Sequence, residues 1–217
     1  MPIIRRGDTW PYRVFRGDAE VKRVFQGDRY AWPQLYYFAD GFDVTTINPN
    51  WAITGGALNA TGGSVGISGT ADGERQMRWN PNGTNTDDVH LQVKFGTNGT
   101  RNTSIVFRLT WDWSRFVAAN FINGTCYLQR VRADGSISDI TSAACSTASG
   151  TTVDIYAVGN NYRMVRNGTT QVFNVNDTGI GAQLGWGYRG FGMRFTRSSF
   201  NNSPRVDYFT IEDYRAA

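Results

Sequence analysis

One histidine, two lysines and three glutamates in 217 residues leave little material for the commonest catalytic sites. His90 alone cannot supply a multi-histidine zinc site, and no cysteine cluster lies near it. Glycoside hydrolysis needs an acid and a base or nucleophile flanking the bond. Glu20, Glu74 and Glu212 show no Glu-x-Asp-x-x-Glu spacing that would supply them from one strand. Glu212 and Asp213 are adjacent, so on a strand they point to opposite faces. Neither a Gly-x-Ser-x-Gly elbow nor a phosphate-binding loop occurs, and no catalytic residue is expected. No apolar run is long enough to cross a bilayer as a helix. The opening Met1-Pro2-Ile3-Ile4-Arg5-Arg6 has no apolar stretch after its charges, so no signal peptide is expected. Sustained helical periodicity is also missing.

Aromatic residues make up 14% of the chain and glycines number 25, a composition suited to pleated strands joined by tight turns. Turn signals recur: Gly55-Gly56, Gly62-Gly63, Asp72-Gly73, Asn82-Gly83, Asn98-Gly99, Asn123-Gly124, Asp134-Gly135, Gly159-Asn160 and Asn167-Gly168. Between them, runs such as Val89–Phe95 and Val153–Val158 alternate apolar and polar residues. Residues 153–175 read as a three-stranded meander, with Asn167-Gly168 as a type I′ turn. The pattern predicts an all-β sandwich or barrel, and the length suffices for one sandwich plus a small unit.

The net charge is +4 and the pI about 9.2. The arginines alternate with acids and form no helical stripe, so no nucleic-acid partner is expected. Lys22 and Lys94 are the only lysines, an arginine bias that fits a GC-rich genome. Cys126 and Cys145 flank the Asp134-Gly135 turn. A hairpin there brings them within about one residue of register, so a disulfide and a pair of buried thiols are both open.

The first 35 residues carry a repeat. Gly7-Asp8, Gly17-Asp18 and Gly27-Asp28 recur every ten residues between strand-like runs 9–16, 19–26 and 29–33. Each Gly-Asp reads as a hairpin turn, so residues 3–33 are expected to form a β-meander. Arg6-Gly7-Asp8 and Arg16-Gly17-Asp18 spell an integrin-binding tripeptide. Gln26-Gly27-Asp28 keeps the turn without the arginine, so the turn is what repeats. So short a segment buries little core, and Trp10, Val14, Phe15, Val24, Phe25 and Trp32 are the candidate assembly interface.

Residues 38–217 resemble the concanavalin A-like, laminin-G-like jelly rolls. Phe38-Ala39-Asp40-Gly41-Phe42-Asp43, with Trp51 soon after, looks like their first strand. Val206–Asp213 looks like the last strand that pairs beside it, and Tyr162–Thr169 like their Asn-Gly hairpin. The resemblance implies an antiparallel jelly-roll β-sandwich over 36–217, preceded by an N-terminal β-meander arm over 1–35. The string Val21–Pro33 is similar to the prefix of minor tail proteins of tailed bacteriophages with GC-rich hosts, in which a lectin-like jelly roll often follows. That similarity implies a virion component, on the tail or as a capsid decoration protein. Its arm would bind other virion proteins, the chain would be a homotrimer without membrane insertion, and its jelly roll would bind host-surface glycan. A free carbohydrate-binding module is the alternative.

Sugar sites in sandwiches use aromatic faces and polar groups on loops. The candidate glycan ligands are Trp111, Asp112, Trp113, Trp186, Tyr188 and Arg189. By alternation Ile105, Phe107, Leu109, Trp111 and Trp113 share one face, so both tryptophans could instead continue the core stripe. Asp72, Asp87, Asp88, Asp112 and Asp177 fall in loops and could offer oxygens to structural calcium, but no ligand spacing is recognisable and no metal or other cofactor is assigned. The sequons Asn98-Gly99-Thr100 and Asn123-Gly124-Thr125 are more simply turns than glycosylation sites.

Overall fold

The computed structural model describes residues 14–16, 19–21, 24–26, 29–32, 36–43, 45–178 and 184–214. The chain divides into two compact units, Met1–Leu35 and Tyr36–Ala217. In the first, β1 (Val14–Arg16) pairs antiparallel with β2 (Ala19–Val21), and β3 (Val24–Gln26) with β4 (Arg29–Trp32). Among the described residues these are two two-stranded antiparallel sheets, with no pairing between β2 and β3. The Gly-Asp pairs themselves lie outside the described residues. Of the candidate interface residues, Val14, Phe15, Val24, Phe25 and Trp32 fall on these strands, and Trp10 lies outside the described residues.

The second unit is an all-β jelly roll of two antiparallel sheets. Its strands are β5 (Tyr37–Asp40), β6 (Trp51–Thr54), β7 (Leu58–Ala60), β8 (Val65–Ile67), β9 (Gly73–Trp79), β10 (Val89–Phe95), β11 (Thr103–Leu109), β12 (Phe116–Ile122), β13 (Thr125–Val131), β14 (Ile137–Ala144), β15 (Thr152–Val158), β16 (Asn161–Arg166), β17 (Thr170–Asn176), β18 (Gly190–Ser198), β19 (Asn201–Asn202) and β20 (Val206–Asp213). The first sheet runs β17-β16-β15-β10-β20-β8-β7, with β5 also on β20. The second runs β14-β13-β12-β11-β18-β9-β6, with β19 on β18. The first and last strands pair as expected, Phe38 opposite Ile211. The β15–β16–β17 meander forms too, and Asn167 and Gly168 both take positive φ, as a type I′ turn demands.

The core follows from alternation. In β10, Val89, Leu91, Val93 and Phe95 point inward and His90 and Gln92 outward. Phe38, Trp51, Trp79, Phe191 and Phe209 form an aromatic cluster between the sheets, with Trp51 and Trp79 edge to face at 5.4 Å. At the rim, Arg130 of β13 pairs with Asp177 just beyond β17. This joins the two sheets at the edge where β14 and β17 meet.

Cys126 lies opposite Ala143, two residues from Cys145 rather than the one expected, and both are buried free thiols. Burial pushes the Cys126 thiol up and that of Cys145 to about 11. Ellman's reagent at about pH 8 is therefore expected to find no reactive thiol in the native protein. Two per chain should appear after unfolding in guanidinium without reductant, and a count of zero would mean that the pair is bonded.

Candidate functional site

Strands β9, β11 and β18 are neighbours, so their connections gather at one end of the sandwich: residues 80–88, 110–115 and 184–189. A bulge in β11 shapes this end. The register between β11 and β18 shifts between Val106 and Leu109, and Arg108 takes φ 49°. Two consecutive residues, Phe107 and Arg108, therefore turn inward. The Arg108 guanidinium donates to the Tyr162 hydroxyl on the facing sheet (2.8 Å) and to the Asp87 carbonyl (3.2 and 3.3 Å). Alternation restarts one position late, so Leu109 faces outward. It joins Val106, Phe116 and Ala118 in an apolar patch on the outer face of the second sheet.

The 110–115 loop folds back over this patch. Its ends are tied by Thr110 N–H to the Arg115 carbonyl and Arg115 N–H to the Thr110 hydroxyl, both at 2.9 Å. Trp113, at φ 63°, packs edge-on against Phe116 and lies over Gly192, where a Cβ would come within 3.2 Å of its ring. Trp111 sits farther out, 53% exposed, with the Arg78 guanidinium 4.3 Å from its ring centroid. The two tryptophans thus leave the core stripe: Trp113 roofs the outer patch and Trp111 faces solvent. The cause is the bulge at Arg108.

Asp112 accepts from the Ser114 N–H (3.0 Å) and hydroxyl (2.7 Å). These bonds, with one from Thr110, hold its carboxyl at about 2. A depressed pKa contributes stability above the ordinary value of 3.8 that is lost as pH falls through about 2. The Trp111 indole N–H resonance is therefore expected to hold constant from neutral pH to about 4 and to move only nearer pH 2. A shift centred near the ordinary carboxylate value would show that the Asp112 bonds do not fix the loop.

The 184–189 segment contains a 3-10 turn, Trp186–Tyr188. Trp186 is 71% exposed. The Tyr188 hydroxyl accepts from Arg115 Nη1 at 3.0 Å, which ties this turn to the Trp111 loop. The Arg189 carbonyl accepts from Thr84 N–H (2.9 Å), and its Nε donates to Asp87 Oδ1 (3.2 Å). A Cβ at Gly83 would sit 2.2 Å from that carbonyl, so only glycine permits the approach.

All six expected glycan ligands therefore occupy one end of the jelly roll, with different parts. Trp111 and Trp186 face solvent, Tyr188 is half-buried, Asp112 and Arg189 hold their loops, and Trp113 packs beneath. The sequence reading missed Arg78 and Arg115, and with them the polar outer face of the second sheet. There Glu74 takes both carboxylate oxygens to Arg194 Nη2 at 2.5 Å and also accepts from Gln76 (2.7 Å). Asn120 donates to Gln129, which donates to Asp139 at 2.7 Å. The alternating polar residues Glu74, Gln76 and Arg78 in β9 were the available signal.

On the outer face of the first sheet, His90 bridges two carboxylates, Glu212 (2.9 Å) and Asp154 (3.1 Å), and stacks on Tyr156 at 4.4 Å. Arg163 covers the other face of that ring. This cross-strand ladder borders a shallow depression of about 250 Å³ lined by Tyr156, Val158, Asn161, Arg163 and Tyr214. It adjoins the 80–88 loop, since Tyr214 N–H donates to the Asp88 carbonyl, and the Tyr156 ring faces are taken by His90 and Arg163.

The aspartates considered for calcium are dispersed among other partners. Asp87 pairs with Arg189, Asp88 accepts from Gly159 N–H, Asp112 caps its own turn, Asp177 pairs with Arg130, and Asp72 accepts from Ser199 N–H at the opposite end. Among the described residues no three His, Cys, Asp or Glu side chains group to hold a metal ion.

No protein-family model and no curated protein matches the chain. Solved structures do. The Emp47p carbohydrate recognition domain superposes with a TM-score of 0.62 at 11% identity, over 83% of this chain and 96% of that one. The exoplasmic/lumenal domain of VIP36 in its Ca2+/Man2-bound form gives 0.60 at 11%, over 78% and 83%. The carbohydrate-binding module CBM66 from Bacillus subtilis gives 0.55 at 14%, over 73% and 91%. At these identities the likeness is one of fold, and the fold is the jelly roll of carbohydrate-binding lectin domains.

Proposed function

We propose that the jelly roll is a non-catalytic carbohydrate-binding unit whose site is the loop end bearing Trp111, Trp186 and Tyr188. The observation that carries this is Trp111, a large aromatic half-exposed on a loop that Asp112, Thr110 and Arg115 hold in one conformation. A fixed aromatic face stacks on a sugar ring at small entropic cost. The likeness to glycan-binding domains supports the reading. Glu74 is taken up by Arg194 and Asp112 by Ser114, so neither is free to act as a paired acid and base.

The larger protein context is a tailed-phage virion, in which the chain is a minor tail protein. The ten-residue Gly-Asp repeat and the preference for arginine over lysine support this. The arm over 1–35 would dock on other virion proteins, with three copies about the tail axis. A strict monomer by light scattering at high concentration counts against it, and imaging of particles distinguishes tail from capsid surface. A free carbohydrate-binding module is the second reading, favoured by the likeness to CBM66 over most of that module. A glycan array probed with the full chain tests the binding claim common to both. Absence of any bound glycan would remove it.

A further inference from the structure

We infer that the ligand of this site is an acidic saccharide, one whose sugar ring carries a carboxylate or sulfate. The inference rests on the carbohydrate-binding reading and narrows it. Four arginines lie on these loops and the adjoining outer face of the second sheet: Arg78 against Trp111, Arg115 against Tyr188, Arg189 beside Asp87 and Arg194 against Phe116. Two have carboxylate partners, Arg194 on Glu74 and Arg189 on Asp87. Among the described residues the other two have none. Arg78 lies over the Trp111 ring and donates through Nη2 to Asn80 (3.2 Å), while its Nε is buried without an acceptor. Arg115 is exposed, and the bond it makes through Nη1 goes to a neutral hydroxyl, that of Tyr188.

The acids nearby are already occupied. Glu74 also serves Gln76, and Asp112, the closest to Arg78, is turned onto Ser114. Partial burial lowers the Arg78 pKa, which is the cost of holding a cation there without a partner, and the charge of Asp112 offsets only part of it. A guanidinium presents a planar fork of donors whose natural complement is a carboxylate or sulfate. Two such forks beside an aromatic plate suit a ring that stacks on Trp111 and extends an anionic group to Arg78 and Arg115. A neutral hexose would satisfy the plate and leave both forks hydrated.

The test uses matched pairs: sialyllactose against lactose, oligogalacturonate against its carboxyl-reduced form, and heparin oligosaccharide against its desulfated form. Each is titrated by calorimetry into the protein comprising residues 1–217. At least one acidic member is expected to bind roughly tenfold or more tighter than its neutral partner, the effect of one charge-assisted hydrogen bond. That preference should vanish in Arg78→Met/Arg115→Met. Arg115→Met alone, at an exposed position, should reduce it and keeps the test valid if the double variant does not fold. Trp111→Ala should weaken binding of both members alike, by about fivefold or more. Equal binding of acidic and neutral members, or a preference that survives the arginine substitutions, overturns the inference while leaving a carbohydrate site intact. No binding by any member overturns both.

Discussion

Asp213→Ala is expected to lower the stability of the jelly roll by about 3 kcal/mol, read as a fall in melting temperature of roughly 6–12 °C for a chain of this size. The Asp213 carboxylate is buried and accepts four hydrogen bonds: from Tyr36 N–H (2.7 Å), Asn85 N–H (3.0 Å), and Thr86 N–H (2.9 Å) and hydroxyl (3.1 Å). One side chain thus fixes the entry to β5 and the 80–88 loop. Truncation strands three backbone donors, and stranded donors cost more than the bonds contribute net. The damage should reach the site, because the same loop binds the Arg189 carbonyl beneath Tyr188. Asp213→Asn keeps one acceptor but turns an amide N–H toward a donor, so an intermediate loss is expected. Burial outweighs the four donors and raises the Asp213 pKa. A raised carboxyl pKa contributes stability that is present below the ordinary 3.8 and is lost as pH rises through the folded value. The gap between wild type and Asp213→Asn should accordingly widen as pH is lowered through that window. A gap that narrows would mean that the hydrogen bonds dominate.

Much of the fold was legible because alternation and turn chemistry act locally. The β15–β16–β17 meander is one case, since Asn167-Gly168 needs positive φ and flanks two alternating runs. The pairing of β5 with β20 was legible only through resemblance, since nothing local links residues so far apart. Other glycine signals misled. Asn82-Gly83 and Asn98-Gly99 look like hairpin turns yet connect strands of different sheets, β9 to β10 and β10 to β11. Their glycines are required by close approach: a Cβ at Gly99 would lie 2.4 Å from Pro204 N. A turn dipeptide announces a reversal without saying whether the chain returns to its own sheet. The site was half legible for a similar reason. Aromatic loops could be found by composition, but the bulge at Arg108 follows from a contact with Tyr162 across the sandwich, and no local pattern encodes it. That bulge decides which tryptophan meets solvent. Arg78 and Arg115 were missed because their significance lies in acids being occupied elsewhere, which only the folded chain determines.

Trp111→Ala and Trp113→Ala are expected to separate binding from stability. Trp111 touches Arg78 and otherwise faces solvent, so its removal exposes no core and should shift the melting temperature by only about 1–2 °C, as for most surface substitutions. A glycan that stacks on it would lose roughly 1–3 kcal/mol, the usual worth of an aromatic plate under a flat ligand ring. That is a weakening of about fivefold to more than a hundredfold. Trp113 shows the opposite balance. Its ring roofs Val106, Leu109, Phe116 and Ala118 and lies against Gly192, so truncation opens that patch to water. About 2–3 kcal/mol of stability should go with it. Affinity should fall as well, because the 110–115 loop loses its seat, but calorimetry of Trp113→Ala should show the loss accompanied by a lower melting temperature. The core-stripe alternative makes a different forecast, in which both substitutions destabilise alike and neither acts on binding alone. A Trp111→Ala variant with wild-type melting and undiminished glycan affinity would remove this tryptophan from the site. Trp186 and Tyr188 on the same rim would then be the aromatic faces left for a glycan, and the Arg115 bond to Tyr188 holds their turn independently of the Trp111 ring.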